Sequence, residues 1–149
     1  MAIVTPGTFS MAALTTEVTT DPKGLGYAAL GGNAASISDL MNLAPEPIAA
    51  PEQIYRNQIA TYLVTSKIDR AEFVALAAGI RDYLIVMFST PLLQTGDANL
   101  RTQVAQAFPV GASRTAMTAA VQKDATRCEA LWGDGFRVTP QQVSEALGQ

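Results

Sequence analysis

A chain of 149 residues, 48% apolar and 15% charged, has the length of a single domain, is too hydrophobic to stay disordered and is short of charge for a protein that meets only water. Its net charge of -3 comes from 13 acidic and 10 basic residues, and bases such as Arg56, Lys67, Arg81, Arg101 and Lys123 stand singly, without the basic stripe that sequence-specific DNA binding needs. A single cysteine and the lack of histidine exclude an internal disulfide, a multi-thiolate metal site within one chain, and Ser-His or Cys-His nucleophile pairs.

Residues 1–9 combine β-branched side chains with a Pro-Gly turn signal and carry no charged side chain, which predicts an extended N-terminal arm whose Ile3, Val4 and Phe9 seek a partner surface. The arm lacks the basic start and long apolar stretch of a signal peptide, so export is not indicated. A first helix is expected from near Ser10, with Met11, Leu14 and Val18 on one face and a stop at Thr20-Asp21-Pro22. Gly24, Gly26, Gly31 and Gly32 then require sharp turns, in a loop that can present Leu25 and Tyr27 or only reverse the chain. A short helix from Ser36 to about Asn42 precedes a proline-rich linker near 45–51.

The next helix is expected to start after Pro51 and to carry Ile54, Tyr55, Ile59, Tyr62 and Leu63 on one side. Asp69 with Glu72 reads as a capping box, and Ile68 with Phe73 as a hydrophobic staple. They open a long helix through Leu76, Ile80, Leu84 and Met87, whose stretch Tyr83 to Phe88 is apolar all round and is expected to be surrounded. That run is far too short to cross a membrane. Asp97 is expected to cap a helix bearing Leu100, Val104 and Phe108, and Ser113 another bearing Met117, Val121, Cys128 and Leu131 up to Trp132. Thr139, Pro140 and Gln142, with Val138 and Val143 as the staple, give the clearest helix start in the chain. The expected fold is therefore all-α, one compact domain over 10–149 of six or seven helices, preceded by the arm.

No chemistry stands out in this pattern. Cys128 falls in a helical stripe and reads as a buried structural thiol; Asp69, Glu72 and Asp97 read as caps, Asp134 as a turn residue, and Asp82 and Glu129 as surface charges. Gly24-Leu25-Gly26 lacks the third glycine and the preceding strand of a dinucleotide fingerprint. The expectation is no catalytic residue, no metal and no cofactor.

Two stretches carry a resemblance: Thr16-Glu17-Val18-Thr19-Thr20-Asp21-Pro22-Lys23-Gly24-Leu25-Gly26-Tyr27-Ala28 with Ile37 to Asn42, and Arg127 to Gly135 with Val138 to Leu147. They resemble small, uncharacterised helical proteins encoded among the structural genes of tailed bacteriophages. The resemblance implies synthesis in the bacterial cytoplasm and a place in the virion, as a head-to-tail connector or neck protein that touches portal, neck or tail proteins as a homo-oligomeric ring or in multiple copies. An assembly factor absent from the finished particle, or a capsid, tail or baseplate accessory, is the alternative, while a wall-degrading hydrolase is disfavoured by the missing histidine. Candidate interface residues are Ile3, Val4, Phe9, Asp21, Pro22, Gly24, Leu25, Gly26 and Tyr27. The arm appears as an addition to the usual pattern and is expected to order on assembly.

Overall fold

The computed structural model describes residues 3–43 and 52–149; the proline-rich segment 45–51 and the first two residues of the arm lie outside the described residues. The helices are α1 (Met11–Thr20), α2 (Ala34–Asn42), α3 (Thr61–Thr65), α4 (Arg70–Ala75), α5 (Ala78–Met87), α6 (Ala98–Ala107), α7 (Ala112–Val121), α8 (Arg127–Trp132) and α9 (Pro140–Ala146), with a 3-10 turn at Tyr27–Leu30. The strands are β1 (Gln53–Tyr55), β2 (Ile59–Ala60), β3 (Leu92–Leu93) and β4 (Gln122–Asp124). β1 pairs with β4, and β2 runs antiparallel to β3 with Ile59 opposite Leu93. The protein is thus mostly helical but not all-α. Its contacts sort into two compact units: unit 1, Met1–Ile54 with Asp124–Gln149, and unit 2, Tyr55–Lys123.

Unit 1 is built on α1, α2, α8 and α9. Ser10 caps α1 by accepting from the Ala13 amide at 3.1 Å, and Asn33 caps α2 by accepting from Ser36, so α2 begins two residues before the expected start. Leu14, Val18, Ile37, Met41, Cys128 and Val143 bury together as α9 packs on α1 and α2. Thr139 and Gln142 form the reciprocal capping box that their spacing predicts, with Pro140 in the first turn and Val138 and Val143 both buried. The Asn42 side chain clamps Val138 from both sides, donating to its carbonyl at 2.8 Å and accepting from its amide at 3.0 Å.

The arm is docked on unit 1 of its own chain. Ile3 bridges to Gln53, the Val4 amide donates to the Gln53 carbonyl at 2.9 Å, and the Gly7 amide donates to Leu131 at 2.8 Å. Val4 packs on a small cluster of Ile54, Ala125 and Ala130. Phe9 meets Trp132 edge-on at 5.1 Å between ring centres and Phe136 at 5.0 Å, and so closes an aromatic trio beside the main core. Val4 and Phe9 therefore find cover on their own chain, where ordering only on assembly was expected, while Ile3 stays exposed.

Unit 2 has its own core of Ile59, Val64, Leu84, Leu93, Phe108 and Met117. Five expectations are corrected here and at its border. The helix expected through Ile54 and Leu63 is instead two short strands and the five-residue α3, because Ile54 is buried between half-buried neighbours, the period of a strand, and Tyr62 and Leu63 face solvent. The long helix from Phe73 to Met87 breaks at Leu76 and Ala77, both extended, where Leu76 leaves the helical path to pack on the core. The stretch Tyr83 to Phe88 is not surrounded, since Tyr83, Ile85 and Val86 are exposed. The helix expected from Ser113 to Trp132 ends at Val121, gives way to β4, and restarts at α8, where Thr126 and Glu129 make a second capping box. Glu129 is accordingly buried rather than a surface charge.

Deleting residues 1–9 is expected to lower the stability of the isolated protein by about 2 to 4 kcal/mol, the combined worth of partly burying Val4 and Phe9 and of two backbone hydrogen bonds. Urea unfolding of the truncated and full chains measures it; coincident midpoints would show that the arm contributes nothing to its own unit.

Candidate functional site

The loop after α1 shows why an Asp-Pro-Lys-Gly-Leu-Gly-Tyr run folds as it does. Asp21 ends α1 in the left-handed region, at φ 44, and turns its carboxylate back over the loop. There it accepts from the amides of Leu25 and Gly26, each at 2.7 Å, and from Tyr27 at 3.3 Å. This carboxylate fixes Gly26 at φ 88, a conformation in which a side chain is strained, and so delivers Tyr27 to the interior. Pro22 and Gly24 lie exposed on the outside of the loop, and Leu25 packs partly on the core.

Tyr27 donates from its hydroxyl to Glu17 Oε1 at 3.1 Å. Glu17 is buried and meets Arg127, also buried, in a two-pronged pair: Nε to Oε1 at 2.6 Å and Nη2 to Oε2 at 2.7 Å. The remaining Arg127 nitrogen, Nη1, reaches Glu52 at 3.3 Å, and Glu52 holds Lys23 at 2.8 Å, so the chain of charges runs from the core to the surface. Burial, together with the Glu17 carboxylate, pushes the Tyr27 phenol well above its ordinary range. Cys128, beside Arg127, is wholly buried and its thiol is pushed up to about 12 by burial, which makes it a poor nucleophile.

Of the candidate interface residues, Asp21, Gly26 and Tyr27 are tied into this interior, Val4, Phe9 and Leu25 pack on unit 1, and Ile3, Pro22 and Gly24 are exposed. Glu17 and Arg127 both fall in the stretches that carry the resemblance, but 110 residues separate them and no local signal pairs them.

The exposed apolar surface lies elsewhere. Of the eleven exposed large hydrophobic residues among the described ones, nine belong to unit 2. Helix α5 buries only Leu84, while Ile80, Tyr83, Ile85 and Val86 are open to solvent, Val86 at 69%. At about 100° per residue, Val86 points away from Leu84 and Ile85 lies on the flank, with exposed Asp82 between them, so the outer side of α5 carries apolar side chains around one acid. Beside it an open groove of about 390 Å³ is bounded by Thr65, Ile68, Arg70, Phe73, Ile85 and Phe88. Deeper in unit 2, Val64, Leu93, Val104 and Met117 line a cavity of about 80 Å³ near the Arg101 guanidinium, which stacks 3.9 Å over the Tyr55 ring and donates to the Thr95 carbonyl at 2.6 Å.

The supports of this face are held by helix ends. Asp69 caps α4, as expected, but Glu72 does not reach back to it; its carboxylate accepts from the amides of Ala112 and Ser113, at 2.8 and 3.0 Å, at the start of α7. Ser113, expected as a cap, instead accepts from the Asp69 amide at 2.7 Å, and Gly111 takes the cap position. A side chain on Gly111, at φ 110, would be strained and would place its Cβ 2.5 Å from Glu72 Oε1.

Among the described residues no group of three His, Cys, Asp or Glu could hold a metal ion, and no helix is long and apolar enough to cross a membrane. Comparison with protein-family models, curated proteins and solved structures finds no match to this chain.

Two expected outcomes test the geometry. Arg127→Met leaves the Glu17 carboxylate buried without its cation and should cost about 3 to 5 kcal/mol, whereas Glu17→Leu combined with Arg127→Met should cost less. Equal losses in urea unfolding would show that the pair is not the source. The Ser113 hydroxyl and amide and the Ala112 amide hold the Glu72 carboxyl below the usual carboxylate range. The unfolded chain then binds more protons, so this contribution is present above the unfolded value of about 4.3 and is lost as pH falls through the lower folded one. Glu72→Gln should flatten that part of the stability-against-pH curve, and an unchanged slope would refute the assignment.

Proposed function

We propose that this chain is a non-enzymatic structural component of a tailed-phage virion, a head-to-tail connector or neck-region protein that acts through protein-protein contacts. The observation that carries the reading is the exposure of α5, where Ile80, Tyr83, Ile85 and Val86 stand open to solvent on a helix anchored by Leu84. Four large apolar side chains left open on one ten-residue helix, with Asp82 as the exposed acid among them, are costly in water and mark an interaction site. The phage setting comes from the resemblance of the two terminal stretches. Those stretches meet in unit 1 through Glu17 with Arg127 and Asn42 with Val138, so the motif serves as the scaffold, and contact falls to unit 2. The partners are portal, neck or tail proteins, together with further copies of this chain.

Protein composition of purified particles tests this directly. The chain is expected at a fixed stoichiometry, and Val86→Asp, at an exposed position, is expected to remove it from particles while leaving its unfolding midpoint unchanged. Absence of the wild-type chain from finished particles would replace the structural role with that of an assembly factor.

A further inference from the structure

Charge is divided unevenly between the two units. Unit 1 carries nine acidic and three basic residues, a net of -6, and unit 2 four acidic and seven basic, a net of +3, which together give the chain's -3. The acids of unit 2 are largely spent on its own helix starts, Asp69 on α4, Asp97 on α6 and Glu72 on α7. Among the described residues, Arg56, Arg70, Arg81, Arg101 and Arg114 form no ion pair with an acid. In unit 1, by contrast, Glu17 and Glu52 are satisfied internally while Asp39 on α2 and Glu145 on α9 stand exposed on helices that pack together.

We infer that copies of this chain join head to tail, with the acidic end of α2 in one copy, led by Asp39 and Leu43, entering the groove of unit 2 in the next beside Arg70. The two sides fit in kind. Leu43 is 56% exposed at the end of α2, and Asp39 precedes it by one helical turn, so an apolar and an acidic side chain lie on one side of the helix. The groove offers the complement: Ile68, Phe73, Ile85 and Phe88 as an apolar floor and exposed Arg70 as an unpaired cation at its edge. Such an interface is heterologous, since each copy presents two different surfaces, and it closes into a ring when the rotation per copy permits. Charge steers the encounter and sets the register, while apolar burial holds the contact. This contact rests on the assembly role proposed above and specifies the partner as a second copy.

The experiment uses the full chain and two exposed-surface variants. One carries Arg70→Glu and Ile85→Asp in unit 2; the other carries Asp39→Ser and Leu43→Ser in unit 1, so that the two altered faces do not attract each other. Sedimentation of the wild type is expected to show concentration-dependent self-association, weakened in about 1 M salt, where charges are screened within about 3 Å. Each variant alone is expected to lose association by more than tenfold. Mixed together, they retain one good face each and should form a one-to-one dimer that grows no further, which also shows that both are folded. A wild type that is monomeric at every concentration, variants that assemble like the wild type, or a mixture that stays monomeric would each overturn the proposal. So would retention of the Arg70 surface by DNA in place of a second copy. A monomer that is nonetheless present in particles would overturn head-to-tail joining alone, whereas a self-associating chain absent from particles would overturn only the virion role.

Discussion

The Glu17–Arg127 pair is the constraint on which unit 1 is organised. Two ions out of water are stable there only because their bonding capacity is used: Oε1 of Glu17 takes Nε of Arg127 and the Tyr27 hydroxyl, Oε2 takes Nη2, and the last nitrogen turns to Glu52. The pair joins helices α1 and α8 at one spacing, and the loop that brings Tyr27 to it must fold around Asp21 for the third contact to exist. A buried ion pair contributes little net stability over a well-packed apolar pair, yet it penalises every arrangement that separates its members. Its role is to select one arrangement of the helices from the several that an alanine-rich apolar surface would tolerate.

Unit 2 solves the opposite problem. With three of its four acids occupied at helix starts, it fixes α4 and α7 by exchanging caps: Glu72 serves the first turn of α7 and Ser113 serves the Asp69 amide. Helix α5, by contrast, has no side-chain cap at its start and a single fully buried side chain, Leu84, and it leaves large apolar side chains open to solvent.

What could be read in advance was the short-range part. Asp69, Asp97 and Thr139 are caps as their spacing requires, because a cap and its amide lie within three residues. The glycine-rich turn was legible as a turn, but not its purpose, since the Asp21 carboxylate and Tyr27 acquire meaning only against Glu17. Contacts between Glu17 and Arg127 or Glu72 and Ser113 span 110 and 41 residues and leave no periodic trace. The continuous helix expected over Phe73 to Met87 shows the limit of periodicity: apolar spacing persists across a break when both pieces pack on the same core. Exposure on α5 was hidden for a related reason, since a run apolar on every side reads the same whether protein or water surrounds it.

The aromatic trio has an optical consequence. The chain's one tryptophan, Trp132, lies in unit 1 against Phe9 and Phe136, while three of its four tyrosines, Tyr55, Tyr62 and Tyr83, lie in unit 2. Excitation that selects indole therefore observes only the unit that holds the arm, and the phenol signal is weighted toward the other. The two halves carry separate built-in chromophores, so the melting of each can be followed in the unlabelled, unaltered chain.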